Sequence, residues 1–223
     1  MARPRRVPTA GGDKELSLPP ADFAALDPEL VEVEPATRLL RLYAPAVHNA
    51  TPAGFRTWGP LNRFDHHRAP PEAPRGIDRE RGIVYAASAL LCVAGEFFGD
   101  QGEITLPGAR LARLTVTEPL RLLDLRGTAA TGAGTIPAIG AITQRATTQA
   151  WARWWYEHPQ LPGVEGLLYT ASHSGQDAVA LSERTRGKVV CRSGQHWALD
   201  DPVLADDLEL VAYRLRLPIA RAF

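Results

Sequence analysis

The apolar runs of this chain are short, and proline or glycine closes them. Pro45 follows the run at 38–43, Gly99 the run at 89–98, Pro119 the run at 109–117 and Pro159 the run at 143–158. Proline lacks a backbone donor and glycine is a poor continuer of helix or strand, so no element can grow long. Such punctuation excludes a bundle of long helices. It also leaves no apolar stretch near the ~20 residues that a membrane span needs. The period of each run then assigns its type. Residues 38–43, 82–87, 109–117, 120–125, 166–169 and 178–181 read as strands, and 30–34 alternates weakly. Residues 89–98 read as a helix with Ser88 as its N-cap, and 143–158 as a second, with Trp151 and Trp155 on one face. A short helix is predicted at 22–26, and 127–142 reads as a loop with one helical turn. Residues 206–216 fit a helix or a strand equally. The mixed order, without internal repeats, predicts an α+β fold with a mixed sheet and flanking helices.

At 223 residues the chain has the length of one domain. Residues 1–17 are rich in Arg, Pro and Gly and predict a disordered arm, leaving 18–223 as the domain. Lys+Arg and Asp+Glu are 25 each, so there is no net attraction for a phosphate backbone, and nucleic acid is set aside as direct partner. The basic start has no apolar run behind it and does not read as a secretory signal, which predicts a cytoplasmic protein. Two cysteines, Cys92 and Cys191, make neither a zinc site nor a disulfide framework.

Three clusters carry candidate chemistry. Arg41 lies on the first long strand, and Asn62-Arg63-Phe64-Asp65 in the loop after it. Tyr85 lies on a buried strand, and Glu96 late on the next helix. Tyr169-Thr170-Ala171-Ser172-His173 runs from a strand into a turn. Guanidinium groups pair with phosphates, tyrosines stack on bases, and a carboxylate steadies a developing cation. Each also has a plain structural reading: a solvated arginine, a core tyrosine, a turn serine. Glu96 is the most informative residue. It shares a helix face with Cys92 and Val93, where an unpaired acid is costly. The 44–81 connection is long for a structureless stretch inside a domain, which marks it as functional or mobile. Its His66-His67 pair lacks metal-chelating spacing and reads as solvated; no metal site is predicted. His158 suits the end of its helix. Ser172-His173 is a weak nucleophile–base pair, since neighbouring side chains on an extended chain point apart.

In this order the clusters resemble the RES-domain proteins, toxins of RES–Xre toxin–antitoxin pairs. The resemblance rests on Leu40-Arg41-Leu42-Tyr43, on Gly59 through Asp65, on Gly82 through Ala87 leading to Glu96, and on Thr117 through Leu125. Gln149-Ala150-Trp151-Ala152 and Gly166 through Ser172 complete it, over roughly residues 35–185. It implies a fold like that of the ADP-ribosyltransferases, with a cleft holding NAD. It also implies cleavage of the nicotinamide–ribose bond, with phosphate or water as acceptor. By motif, Arg41 and Arg63 hold the NAD phosphates and Tyr85 lines the nicotinamide end. Glu96 orients the ribose and stabilises the oxocarbenium-like transition state. Ser172 is the family serine, although it lies three residues after Tyr169 where the family has two. Tyr43 and Tyr169 join Arg41, Arg63 and Tyr85 as NAD-binding residues. NAD is the substrate, inorganic phosphate a co-substrate in one version, and no cofactor is required. The implied partner is an Xre-type antitoxin that carries the DNA binding, and a toxin dimer inside the complex is compatible; the loop around 66–81, polar and close in sequence to Arg63, is the expected antitoxin contact. Two alternatives stand beside this: ADP-ribosyl transfer to a protein, and an idle partner-binding module. Residues 92–95 hold no second acid to activate a protein acceptor, and retention of both arginines, Tyr85 and Glu96 argues against idleness.

Overall fold

The computed structural model describes residues 16–69 and 74–220. Most of the expected arm, residues 1–15, and residues 70–73 of the expected antitoxin-binding loop lie outside them. The elements run in the order β1 (Leu30–Val33), β2 (Arg38–Tyr43), β3 (Trp58–Gly59), β4 (Gly76–Ile77), β5 (Ile83–Ala87) and α1 (Leu90–Phe98). Then come β6 (Ile104–Thr105), β7 (Arg110–Val116), β8 (Leu120–Asp124), α2 (Ala129–Gly132) and α3 (Arg145–Glu157). The chain continues through β9 (Gly166–Thr170), β10 (Asp177–Ser182), β11 (Val189–Val190), β12 (His196–Ala198), α4 (Ala205–Leu215) and β13 (Ile219–Ala220). The α+β reading holds, and the ambiguous segment at 206–216 is a helix.

One curled, mixed sheet organises the domain in the order β1-β8-β9-β10-β5-β2-β7-β11, with β12 also paired to β7. Only β8 and β9 run parallel within it. Strand alternation divides the core into two faces. Leu42, Ile83 and Ala87 face one side, where α1 and α3 supply Cys92, Phe98, Trp151 and Trp155. Leu39, Tyr43, Val84, Ala86, Leu114 and Leu181 face the other, under Ala50, Ala53 and Phe55 of the loop after β2. The register between β2 and β5 has one pair, Leu40↔Ala87. Beyond it β2 diverges, and Arg56 takes the place opposite Ile83.

Some local expectations fail because tertiary contacts outweigh local pattern. Residues 22–26 form no helix. Their backbone instead bonds to residues just past the end of α3: Leu26 N–H donates to Gln160 Oε1 at 2.9 Å, and Ala24 C=O accepts from His158 Nε2 at 3.0 Å. Leu16 and Ser17, at the end of the expected arm, are tied to the domain. Leu16 is buried, and Ser17 C=O accepts from Trp151 Nε1 at 2.8 Å. The N-cap of α1 is Ala89 rather than Ser88, without a side-chain cap. The stretch at 44–81 is not structureless: β3 pairs with β4, and Asp78 accepts from the backbone N–H groups of Arg68, Glu80 and Arg81.

The His66-His67 pair is buried, not solvated. His66 Nε2 lies 3.0 Å from Glu183 Oε2 and its ring stacks on Tyr156 at 4.5 Å. His67 is 0% exposed with no hydrogen-bond partner at either ring nitrogen, and burial pushes its pKa down.

Candidate active site

The loop at 60–65 is built around one buried carboxylate. Asp65 is 0% exposed and accepts from Arg56 Nη2 at 2.8 Å on each oxygen. It also accepts from Leu61 N–H at 2.5 Å, Asn62 N–H at 3.0 Å and the Tyr85 hydroxyl at 2.9 Å. The same hydroxyl accepts from Phe64 N–H at 2.9 Å, so Tyr85 is a strut between β5 and this loop. Burial, then the Asp65 charge, pushes the Tyr85 pKa well up, which keeps it a neutral donor. From α3, Gln149 Nε2 donates to Asn62 C=O at 2.9 Å. Phe64 drives this closure: it is 1% exposed and meets Tyr169 edge-on at 4.7 Å. Burying such a ring is worth ~1.5–3 kcal/mol, which offsets part of the cost of ordering the loop. The loop presents Arg63, whose Nε and Nη1 are buried and have no hydrogen-bond partner. Donors left this way favour an anion.

Opposite the loop, α1 carries Glu96 half-buried. The Tyr169 hydroxyl donates to its Oε2 at 3.1 Å, and Ser172 Oγ lies 3.4 Å from its Oε1. Both oxygens are held from the end of β9 and the turn after it. Burial, then the Glu96 charge, pushes the Tyr169 pKa well up, while Arg63 opposes the rise. Tyr169 thus touches the Glu96 carboxylate through its hydroxyl and, through its ring, Phe64, the residue after Arg63. One helical turn before Glu96, burial pushes the Cys92 thiol up to about 11, so it stays protonated at neutral pH. Gly140 permits the close approach behind β9, since a Cβ there would lie 2.2 Å from Thr170 C=O.

The structure brings Arg63, Tyr85, Glu96, Tyr169 and Ser172 into one neighbourhood, but not Arg41 and Tyr43. In β2, Leu39, Arg41 and Tyr43 point to one face of the sheet, and Tyr85 in β5 points to the other. Arg41 is 7% exposed. Its Nη1 donates to the carbonyls of Thr51, Pro52 and Gly54 at 3.1, 3.2 and 2.7 Å, and its guanidinium lies 5.7 Å from the Tyr43 ring centre. Burial pushes its pKa down to about 10. Tyr169, expected to offer a face to a base, is 1% exposed and spends its hydroxyl on Glu96. The structure adds Arg56 and Gln149, and gives Asp65 a role. Asp65 and Gln149 stood inside the matching stretches, but nothing local marked what they bind. Arg56 carried no signal at all.

The chain belongs to the RES domain family, whose model matches residues 35–201. Among solved structures, the chain is similar to one from the crystal structure of the M. tuberculosis MbcT–MbcA toxin–antitoxin complex. The likeness has a TM-score of 0.51 at 20% identity, over 80% of this chain and 92% of that one. At that identity it shows the fold. No curated protein matches the chain in sequence. Among the described residues no helix is long and apolar enough to cross a membrane.

Proposed function

We propose that this RES-domain protein is the toxin of a toxin–antitoxin pair and consumes NAD by breaking the nicotinamide–ribose bond. The observation that carries the reading is the arrangement around Tyr169: a carboxylate fixed at both oxygens, and an arginine with two unpartnered donors nearby. The chemistry asks for little more. The bond between ribose C1′ and the pyridinium nitrogen breaks, its electron pair leaves with neutral nicotinamide, and positive charge grows on the ribose. A preorganised carboxylate opposes that charge better in the transition state than in the substrate. Glu96 is the catalytic carboxylate, and Tyr169 and Ser172 spare it reorganisation. Arg63 takes the pyrophosphate. Water, losing a proton, or a phosphate oxygen then bonds to C1′. Arg41 reaches a phosphate only by exchanging its three loop carbonyls. The chemistry requires no cofactor, and Ser172, which is exposed, marks the side from which NAD enters.

The similarity to a chain from a toxin–antitoxin complex supports an antitoxin partner, for which an Xre-type protein is proposed. Transfer of ADP-ribose to a protein is the second reading. Against it, Cys92, Val93, Ala94 and Gly95 place no acid in the turn before Glu96 to activate an acceptor. Incubation of pure protein with NAD, with and without inorganic phosphate, followed by mass spectrometry, separates the cases. Free nicotinamide with ADP-ribose, or with its phosphate adduct, supports the proposal. An ADP-ribosyl mass on a protein supports the second reading, and untouched NAD overturns both.

A further inference from the structure

Helix α1 offers a groove beside Glu96. Gly95 precedes the glutamate and Gly99 lies one turn on, so two neighbouring positions on the helix carry no side chain. The His173 ring fills that groove. A Cβ on Gly99 would fall 2.5 Å from its Cγ, Cδ2 and Nδ1, and a Cβ on Gly95 would fall 3.0 Å from the His173 Cβ. The ring is also held at its edge: Nε2 lies 3.3 Å from Asp100 Oδ1, and Asp100 Oδ2 accepts from Arg145 Nη2 of α3 at 2.6 Å. Its neighbour Ser172 reaches Glu96 Oε1 at 3.4 Å. Two consecutive residues of one turn therefore grip α1 at two successive points, one on the reacting carboxylate and one on bare backbone.

We infer that His173 is a positioning residue: seated on Gly95 and Gly99, it sets how closely the β9–β10 turn approaches α1, and so fixes Ser172 and Tyr169 on Glu96. The inference rests on Glu96 being the reacting carboxylate for its catalytic consequence, but its structural content does not. The glycines serve the seat rather than the helix. Gly99 has φ −56° and ψ −43°, a helical conformation that alanine adopts more readily than glycine. Gly99→Ala thus favours the helix locally, and any harm it does comes from the His173 contact.

The experiment is a double-variant cycle with Gly99→Ala, His173→Ala and the two combined. NAD turnover is measured with kcat and KM separated, beside the melting temperature of the same preparations. A second readout follows the NMR chemical shifts of the Glu96 carboxyl carbon and the Ser172 amide in substrate-free protein. Gly99→Ala is expected to lower kcat roughly tenfold to a hundredfold with little change in KM, because it pushes the turn away from the carboxylate. Both chemical shifts move in the same variant as the turn withdraws from the carboxylate. His173→Ala loses less, and the combined variant matches His173→Ala, since the added methyl no longer meets a ring. Parental kcat and chemical shifts in Gly99→Ala overturn the inference, as does a combined variant that loses more than His173→Ala. If the parent protein cleaves no NAD, the functional reading fails, while the NMR arm still decides whether His173 positions the turn.

Discussion

The Tyr169 hydroxyl donates to Glu96 Oε2 across 3.1 Å, tying the end of β9 to the middle of α1. Tyr169 is buried and Glu96 half-buried, so the bond sits where the apolar core gives way to solvent. A carboxylate held this way at such a boundary stays open to solvent on one side and loses its freedom to turn. That combination suits a group that must oppose positive charge without moving.

Glu96→Gln is expected to remove NAD turnover while leaving the melting temperature near the parental value. Glutamine has the same shape and still accepts from Tyr169, but it carries no charge. One well-placed electrostatic contribution is worth on the order of 3–4 kcal/mol, a rate loss of several hundredfold. Turnover and thermal melting on one preparation check it. A less stable but fully active variant would make Glu96 a structural acid.

Tyr169→Phe keeps the ring and its edge contact with Phe64 but withdraws one donor from the carboxylate. A hydrogen bond to a charged group contributes ~1.5–3 kcal/mol, so kcat is expected to fall roughly tenfold. KM for NAD and the melting temperature are expected to stay near the parental values. A lower melting temperature with kcat per folded molecule unchanged would assign Tyr169 to packing alone.

The two arginines are expected to separate cleanly. Arg63 has buried nitrogens with no partner, so Arg63→Ala removes an unsatisfied group. It should raise KM for NAD with little loss of stability. Arg41→Ala leaves the carbonyls of Thr51, Pro52 and Gly54 without their donor and opens a gap over β2. It should lower stability by about 1–3 kcal/mol. Urea unfolding and NAD saturation curves on both variants check the contrast. Equal destabilisation by the two would refute it.

Acid stability should depend on Glu183. Burial alone would raise its pKa, but donation by His66, Tyr156 and Gly82 N–H holds it at about 2 against an ordinary 4.5. A lowered folded-state pKa stabilises the fold above the unfolded value, and that contribution is lost as pH falls from about 4.5 towards 2. With a side chain only 13% exposed, the contribution reaches up to about 3 kcal/mol. Glu183→Gln is expected to lower stability at neutral pH and to flatten the acid side of the stability profile. An unchanged acid slope would show that other carboxylates govern it.

The prolines and glycines that close each run made the strands and the long helices legible, because chain termination is a local property. The short strands β3 and β4 were not legible, since two residues carry no period. The helix expected at 22–26 fails for a related reason: its backbone finds partners just past the end of α3, more than 130 positions away. Arg41 shows the limit most clearly. Its parity with Leu39 and Tyr43 is written in the sequence, but which face of the sheet bears the site is decided by where α1 and α3 pack. The burial of His66 rests on Glu183 and Tyr156 and is equally tertiary.

The single residue pair between β2 and β5 divides the sheet into two plates, with β1, β8, β9, β10 and β5 in one and β2, β7, β11 and β12 in the other. Continuous ladders stiffen each plate, whereas the seam between them has almost no ladder to resist shear. Arg41 belongs to one plate, and Tyr85 and Tyr169 to the other. A slip along this seam would change the separation of those groups while leaving every ladder within either plate intact. The strand that borders this line on one side is also the one whose Tyr85 holds the loop that presents Arg63.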